Sequence, residues 1–452
     1  MMKNRHRAAM ISACLAASGL AMPAFSASAA PVPSGYDQFI VTFSDAAARG
    51  VTLSGVTTVR EMAGGGLVVR PAARGLDRAG AQRLMGQLAR QAGVASVEPD
   101  LIVTAQAVPN DPRYPEQWHY FEPTGGMNLP GAWDTADGTG VTVAVIDTGI
   151  VEHSDLAANV LPGYDFISDA ASARDGDGRD ADPTDEGDWY AAGECGQVNP
   201  SNSSWHGTHV AGTVAAVSNN GVGVAGVASK AKILPLRVLG KCGGRTSDIA
   251  DAITWASGGR VPRVDVNPNP AKVINMSLGG SGRCAQAYQR AINGAVSRGT
   301  TVVVAAGNSN ADVANFTPAN CSNTVTVASN DRQGNRAFYS NFGALIDVTA
   351  PGGEVRNETD PPGTRTKPQD GVLSTLNAGA TVAAAESYQT YMGTSMAAPH
   401  VAGLAALMLG ETSLAPAQVE STLKAHVRPL PGTCTGGCGA GIVDATATIA
   451  AL

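Results

Sequence analysis

The sequence predicts an α/β protein with a doubly wound, mostly parallel sheet, preceded by a small α+β unit. Three observations carry this. Short β-branched runs recur from about Ala132 onward, segments of helical spacing alternate with them, and glycine or polar turns end each run. Continuous apolar runs suit parallel strands covered on both faces. Regular alternation of strand and helix is what stacked βαβ units look like.

Taken in chain order, the first element is a targeting segment. Lys3, Arg5 and Arg7 precede an apolar stretch from Ala8 to Phe25, and Ser26-Ala27-Ser28-Ala29-Ala30 follow. Basic, then apolar, then small is the order of a secretory signal peptide, here residues 1–30 with cleavage after Ala27 or Ala29. A membrane anchor is the alternative, but Ser, Gly and Pro interrupt the stretch and no later segment suits a bilayer span. Ile11-Ser12-Ala13-Cys14 has the look of a lipidation box, with too few apolar residues between it and Arg7.

Residues 31–108 form the next unit. Gln38–Phe43 and Gly66–Arg70 read as strands, and Leu84, Leu88 and Ala92 repeat at helical spacing between Leu76 and Gly93. Val94–Asp100 then leads into a strand at Leu101-Ile102-Val103. The proline-bearing linker Val108–Pro112 is well placed for cutting.

Residues 109–452 carry the main domain. Its strands are expected at Val141–Ile146, Ile233–Val238, Val273–Met276, Thr301–Val304 and Thr324–Val327, with helices over Ser247–Ser257 and Ala285–Ser297. In such a sheet, sites lie at the carboxyl ends of the strands. The stretch Gly352–Gly371, rich in Pro, Gly and charge, reads as a surface loop, with shaping of a cleft as its alternative role.

Charge and cysteine content narrow the class. Through Ala105 there are 10 Lys/Arg against 6 Asp/Glu, and beyond it 21 against 32. No basic cluster is dense enough for a nucleic-acid surface. Cys14 leaves with the signal, and an even number of cysteines in an exported chain favours disulfides. We expect them in chain order, Cys195–Cys242, Cys284–Cys321 and Cys434–Cys438, although the sequence does not force that choice. Thr-Gly-Gly between the last two suits a small ring. A zinc site is the rival, opposed by the lack of paired Cys-x-x-Cys motifs.

Four motifs stand at or near strand ends or helix starts. Val145-Ile146-Asp147-Thr148-Gly149 puts an acid directly after a strand, and Trp205-His206-Gly207-Thr208-His209 opens an Ala/Val-rich helix. Ala305-Ala306-Gly307-Asn308 puts an amide after another strand. Gly393-Thr394-Ser395-Met396-Ala397-Ala398-Pro399-His400 puts a serine at the start of a long apolar helix, where Pro399 is tolerable only near the first turn. These residue types are what hydroxyl-based acyl transfer needs. A serine hydroxyl becomes a good nucleophile when an imidazole takes its proton. A carboxylate must fix that imidazole, and preorganised donors must meet the oxyanion. Ser395 is therefore read as nucleophile, His206 as base and then acid, Asp147 as its orienter, and the Asn308 amide with the Ser395 N–H as the oxyanion hole. His209 and His400 are expected to pack beneath the site. Any one of these residues alone would pass for a turn or a cap; the set would not.

In that order, Asp, His, Asn, Ser, the motifs closely resemble those of the subtilase family of serine peptidases. The resemblance runs from about Tyr114 to the C-terminus. It implies a subtilisin-like sheet, a secreted endopeptidase acting on proteins and peptides, and removal of a propeptide that inhibits the enzyme and assists its folding. Tyr36–Phe43 and Ser96-Val97-Glu98-Pro99-Asp100 resemble parts of such a propeptide, a small α+β, ferredoxin-like unit. The resemblance also implies that Ser277, Leu278, Gly279 and Gly280 form one strand for an extended substrate and Gly243 and Gly244 the opposite one, a form of β-augmentation. Ala305, Ala306 and Gly307 would wall a pocket of loose preference.

Structural calcium is implied in the same way, with no catalytic cofactor. Asp155 matches the family's calcium-binding acid, and Val217, Asn220, Val222 and Val224 belong to a loop like the one that supplies an amide and carbonyls. Asn220 is preferred over Asn219. Separately, Asp175, Asp177, Asp180, Asp182 and Asp185 are concentrated among glycine turns, as in oxygen-rich calcium loops, with a solvated surface loop as the alternative. The mature protein is expected to be a soluble monomer without nucleic-acid or membrane partners. The nearest rival is a lipase or esterase, which would want Gly-x-Ser-x-Gly with its serine first in chain order; here Ala397 takes the second glycine position and the serine comes last. The other rival is a catalytically dead peptide-binding homologue, against which every expected catalytic residue is present.

Overall fold

The computed structural model describes residues 35–44, 52–100 and 108–452. The signal segment with Cys14 and the strand expected at Leu101–Val103 lie outside those residues. The chain divides into two units, Met1–Ala105 and Gln106–Leu452, described separately below.

In the first unit, β1 (Phe39–Phe43), β2 (Val56–Glu61), β3 (Leu67–Pro71) and β4 (Val94–Pro99) form an antiparallel sheet in the order β2-β3-β1-β4. One helix, α1 (Arg78–Leu88), joins β3 to β4 and is capped by Asp77, whose carboxylate accepts from Gly80 N at 2.7 Å. Phe39, Val41 and Val69 face Leu84 and Leu88 in a small core. The sequence reading needs three corrections. Val94–Pro99 is itself a strand rather than a lead-in, β2 was missed, and the helix stops before Ala92 because the chain turns towards Gly93, whose φ is +79°. β2 escaped notice because it is an edge strand exposed along most of its length, with no apolar alternation to mark it.

The second unit begins with α2 (Trp118–Phe121), β5 (Thr142–Asp147), β6 (Tyr164–Asp165), α3 (Ala170–Ala173), α4 (His206–Ala215), β7 (Lys232–Arg237), α5 (Thr246–Ala256), β8 (Val273–Met276), β9 (Gly280–Ser281), α6 (Gln286–Ser297) and β10 (Thr301–Ala305). It continues with β11 (Phe316–Thr317), β12 (Val325–Asn330), β13 (Val348–Pro351), β14 (Val372–Asn377), β15 (Glu386–Tyr391), α7 (Thr394–Glu411), α8 (Pro416–Ala425), β16 (Val427–Arg428), β17 (Ile442–Val443) and α9 (Ala445–Ala450). The main sheet runs β16-β17-β13-β12-β10-β8-β5-β7-β6 and is parallel apart from the β16–β17 pair. This is the doubly wound α/β architecture expected.

Strand alternation builds both sides of the core. Val143 and Val145 of β5 pack with Val210, Val214, Val401 and Leu404 of α4 and α7. Ala144 and Ile146 point the other way, towards Ile249, Ile253 and Ile292 of α5 and α6. The chain places β7 on one side of β5 and β8 on the other, so the winding reverses at β5. A crevice opens at such a reversal beyond the strand carboxyl ends, and Asp147 is the last residue of β5. The hairpin β14–β15 was not anticipated; it covers α4, with Ser374 Oγ and Thr375 Oγ1 donating to the carbonyls of His209 and Thr208.

All three disulfides form in chain order: Cys195–Cys242, Cys284–Cys321 and Cys434–Cys438. No helix among the described residues is long and apolar enough to cross a membrane.

Candidate active site

The acid comes first. Asp147 is fully buried, and its Oδ1 accepts from Thr148 N at 2.8 Å and from His206 Nδ1 at 2.7 Å. An ionised carboxylate only accepts, so Nδ1 of His206 carries the proton and Nε2 of the neutral ring is the bare base. Burial pushes the His206 pKa down. The charge and hydrogen bond of Asp147, joined by Asp188 and Asp185, push harder and leave it raised. The ring is the first residue of α4 and its side chain remains 20% exposed.

Thr394, next to the serine, holds the amide and the residue before it. Asn308 Oδ1 accepts from both the N and the Oγ1 of Thr394 at 2.9 Å, leaving its NH2 group as the free end. Thr394 Oγ1 in turn accepts from Gly307 N at 3.0 Å. Gly393 takes a φ of +152°, which L side chains rarely adopt, so the turn into the serine favours glycine for its backbone rather than for space beside Asn308. Thr394 is a functional residue the sequence reading missed, and only a fold that pairs it with a residue 86 positions away reveals it.

Ser395 is the second residue of α7 and half-buried. Its Oγ donates to the Ser277 carbonyl at 3.1 Å. Ser277 Oγ donates back to the Ser395 carbonyl at 2.8 Å. The second bond corrects the expectation for Pro399, which is the sixth residue of α7, one turn deeper than predicted. A proline there cannot donate to the carbonyl four residues back. That carbonyl belongs to Ser395, and the Ser277 hydroxyl satisfies it instead.

A cleft of about 680 Å³ runs past these groups. Gly243 and Gly244 lie on its border, as do Ser277 to Gly280, and Ala305, Ala306 and Gly307 form part of its wall beside Asn308 and Ser395. Thus all the sequence-predicted substrate residues gather in one groove. A second cavity of about 410 Å³, lined by Asp188, Tyr190, Gln197, His206 and Leu239, adjoins it. Of these residues, Asp188, Tyr190, Gln197 and Leu239 carried no mark in the sequence. His209 and His400 are buried beneath the site as expected, and burial lowers both pKa values, to about 3 and about 4.

Away from the cleft, Asp155 is fully buried and receives Asn220 Nδ2 at 2.7 Å and Val224 N at 2.9 Å, while its own carbonyl accepts from Val217 N. Val222 N closes the loop on Asn220 Oδ1 at 2.7 Å. Asn220 N also donates to Asp111, a second buried carboxylate that sequence reading overlooked. Neither acid has a Lys or Arg ion-pair partner among the described residues, and burial pushes the Asp155 carboxyl up. The two buried carboxylates are hard oxygen ligands of the kind a calcium ion takes, while here the Asn220 NH2 and the Val224 N–H occupy the oxygens of Asp155.

In the acidic loop, read as either a calcium loop or a surface loop, the carboxylates are engaged locally. Among the described residues no group of three or more His, Cys, Asp or Glu side chains is placed to hold a metal. Asp175 pairs with Arg237 at 3.0 Å, Asp180 caps the N of Asp182, and Asp182 caps Thr184. Asp177 donates its own N to Asp175, and Asp185 is buried against Thr148. Each carboxylate that the fold engages is taken by a turn, a hydroxyl or an arginine, so the five do not converge.

Comparison with known proteins places these features in context. A model described as the subtilase family matches residues 138–441. An extracellular protease of Xanthomonas campestris pv. campestris is 53% identical, over 96% of this chain and 76% of that one. Thermitase of Thermoactinomyces vulgaris is 36% identical, over 67% of this chain and 86% of its own. A solved protease structure from Pseudoalteromonas arctica superposes with a TM-score of 0.73 at 59% identity, covering 76% of this chain and 99% of that one.

Proposed function

This chain belongs to the subtilase family of serine peptidases, and on that premise we propose that it is a secreted endopeptidase whose triad is Asp147, His206 and Ser395. The observation that carries this reading is the 2.7 Å contact between Asp147 Oδ1 and His206 Nδ1, which leaves Nε2 free to act as a base. Nε2 takes the Ser395 proton as Oγ leaves the Ser277 carbonyl and attacks the substrate carbonyl. The Asn308 NH2 and the Ser395 N–H receive the oxyanion. The imidazolium then protonates the leaving amine, and water repeats the cycle on the acyl-enzyme. Substrate lies extended between Gly243–Gly244 and Ser277–Gly280.

Residues 31–108 are the propeptide in this reading, and the four-stranded unit with its single described helix supports that role. Its removal near the Val108–Pro112 linker yields the mature enzyme. Asp155, Asp111, Asn220 and the 217–224 loop would hold a calcium ion, whose charge would offset the two buried carboxylates.

Wild type and Ser395→Ala should be exported in parallel, then compared by intact mass and casein hydrolysis. The reading expects a shortened, active wild type and a long, inert variant. Identical masses with no casein cleavage by either would remove Ser395 from its role.

A further inference from the structure

His206 lies 59 residues beyond Asp147 in sequence, and two carboxylates of the intervening loop sit behind the pair. Asp185 is 2% exposed; its Oδ2 accepts from Thr148 Oγ1 at 2.6 Å and its Oδ1 from Gly187 N at 2.9 Å. Thr148 directly follows the acid, and its Oγ1 also accepts from Gly207 N at 2.9 Å, directly after the base. A hydroxyl has one proton. Asp185 takes it, so Thr148 Oγ1 turns its lone pairs towards Gly207 N. One side chain thereby joins the end of β5 to the start of α4, with Asp185 setting its direction. Asp185 is itself fixed by main chain, since its N donates to Ile150 O at 3.0 Å.

Asp188 acts on the other flank of the base. It accepts from Ser204 N at 2.6 Å and from Ser204 Oγ at 2.8 Å. Ser204 precedes Trp205, whose φ of +49° is left-handed, a strained state for a bulky residue. Trp205 is 1% exposed and its Nε1 donates to Gly379 O at 2.6 Å. The indole anchors one side of this kink and Asp188 the other, and His206 leaves the kink as the first helical residue.

We propose that Asp185 and Asp188 are positioning residues for the proton-transfer pair: Asp185, through Thr148, ties the acid's strand to the base's helix, and Asp188, through Ser204, holds the turn that aims the imidazole. The proposal rests on the reading of Asp147, His206 and Ser395 as the triad. Asp188 also adds charge, while burial pushes the Asp185 carboxyl up to about 7, so its charge fades as the pH falls below neutral. His206 faces Asp147 from β5, Asp185 and Asp188 from the loop, and His209 from its own helix, while Arg237 of β7 acts on Asp185. The negative groups favour the imidazolium that forms when Ser395 loses its proton.

The test uses the mature enzyme and a chromogenic peptide, with Asp185→Asn, Asp188→Asn, Thr148→Val and Thr148→Ser. Asparagine keeps the shape and removes the charge. We expect kcat to fall about tenfold in each Asp→Asn variant with KM within about twofold, a scale set by small misplacements of reacting groups. Thr148→Val should reproduce the loss and Thr148→Ser should restore activity. Activity needs neutral His206 and is lost as pH falls through its pKa. Losing the Asp188 charge lowers that pKa, so the acid limb of kcat/KM should move to lower pH in Asp188→Asn; Asp185, pushed up to about 7 by burial, loses its own charge in that range, so Asp185→Asn should move the limb less.

Wild-type kcat with an unmoved acid limb would overturn the proposal. So would a kcat loss matched by a collapsed unfolding temperature and an unmoved limb, which would make these residues merely structural. A wild type without peptidase activity sinks the triad reading and this proposal with it; an active wild type with indifferent variants sinks the proposal alone.

Discussion

Two regions of this molecule are equally rich in polar side chains and were equally conspicuous in the sequence, yet they use those side chains in opposite ways. The motifs around Asp147, His206, Asn308 and Ser395 stand at or near the ends of β5 and β10 and the starts of α4 and α7; the fold brings Asn308 and Ser395 to one groove and His206, with Asp147 buried behind it, to the cavity that adjoins it. The acidic loop from Asp175 to Asp185 also supplies closely spaced polar groups, and the fold disperses them. The difference lies in what fixes direction. A residue that ends a parallel strand must point into the crevice at the winding reversal. A carboxylate in a glycine-rich loop is free to cap its own neighbours, and four of these five do so or turn inward.

The comparison breaks if the convergent residues prove dispensable. Asn308→Ala removes the donor that Thr394 aims into the cleft. It should lower kcat by about a hundred- to a thousandfold with KM little changed, as read by steady-state kinetics on a peptide substrate. A smaller loss would mean that the Ser395 N–H carries most of the oxyanion.

Asp155 gives the next largest effect. Removing calcium with a chelator should speed thermal inactivation of the wild type severalfold, since a ligand that binds only the native state stabilises it. Asp155→Ala in excess calcium should inactivate as fast as the chelated wild type and respond no further to chelator. A variant that still responds would place the ion elsewhere.

These contrasts mark how far the sequence could be read. The parallel sheet was legible because β5, β7, β8, β10 and β12 are short apolar runs, and the winding order placed Asp147 at the switch. The catalytic motifs were legible because each sits where an element begins or ends. The residues behind them were not. Thr394 and Thr148 act through bonds to partners 86 and 59 positions away, and Ser277, expected only in a substrate strand, also holds a carbonyl 118 positions away; no local pattern encodes such pairings. β2 and the β14–β15 hairpin escaped because their exposed or polar positions break the apolar alternation that marks a strand. Asp111 looked like part of a proline-bearing linker, and only burial against the 217–224 loop shows its second use.

The smallest effects sharpen the dispersed side of the comparison. If the acidic loop held a metal, Asp175→Asn and Asp177→Asn would both weaken it. The structure separates them. Asp175 meets the buried guanidinium of Arg237, which also holds Asp165 at 2.6 Å, whereas the Asp177 side chain is exposed and its hydrogen bond uses only main-chain N. Asp175→Asn should cost about 1.5–3 kcal/mol, the worth of a hydrogen bond to a charged group. Asp177→Asn should fall within about 0.5 kcal/mol of wild type, as surface changes usually do. Both are best read by denaturant unfolding in the Ser395→Ala background, where self-digestion cannot intervene. Equal losses that calcium rescues would return the loop to metal binding, and the convergence of the catalytic groups would no longer set the two regions apart.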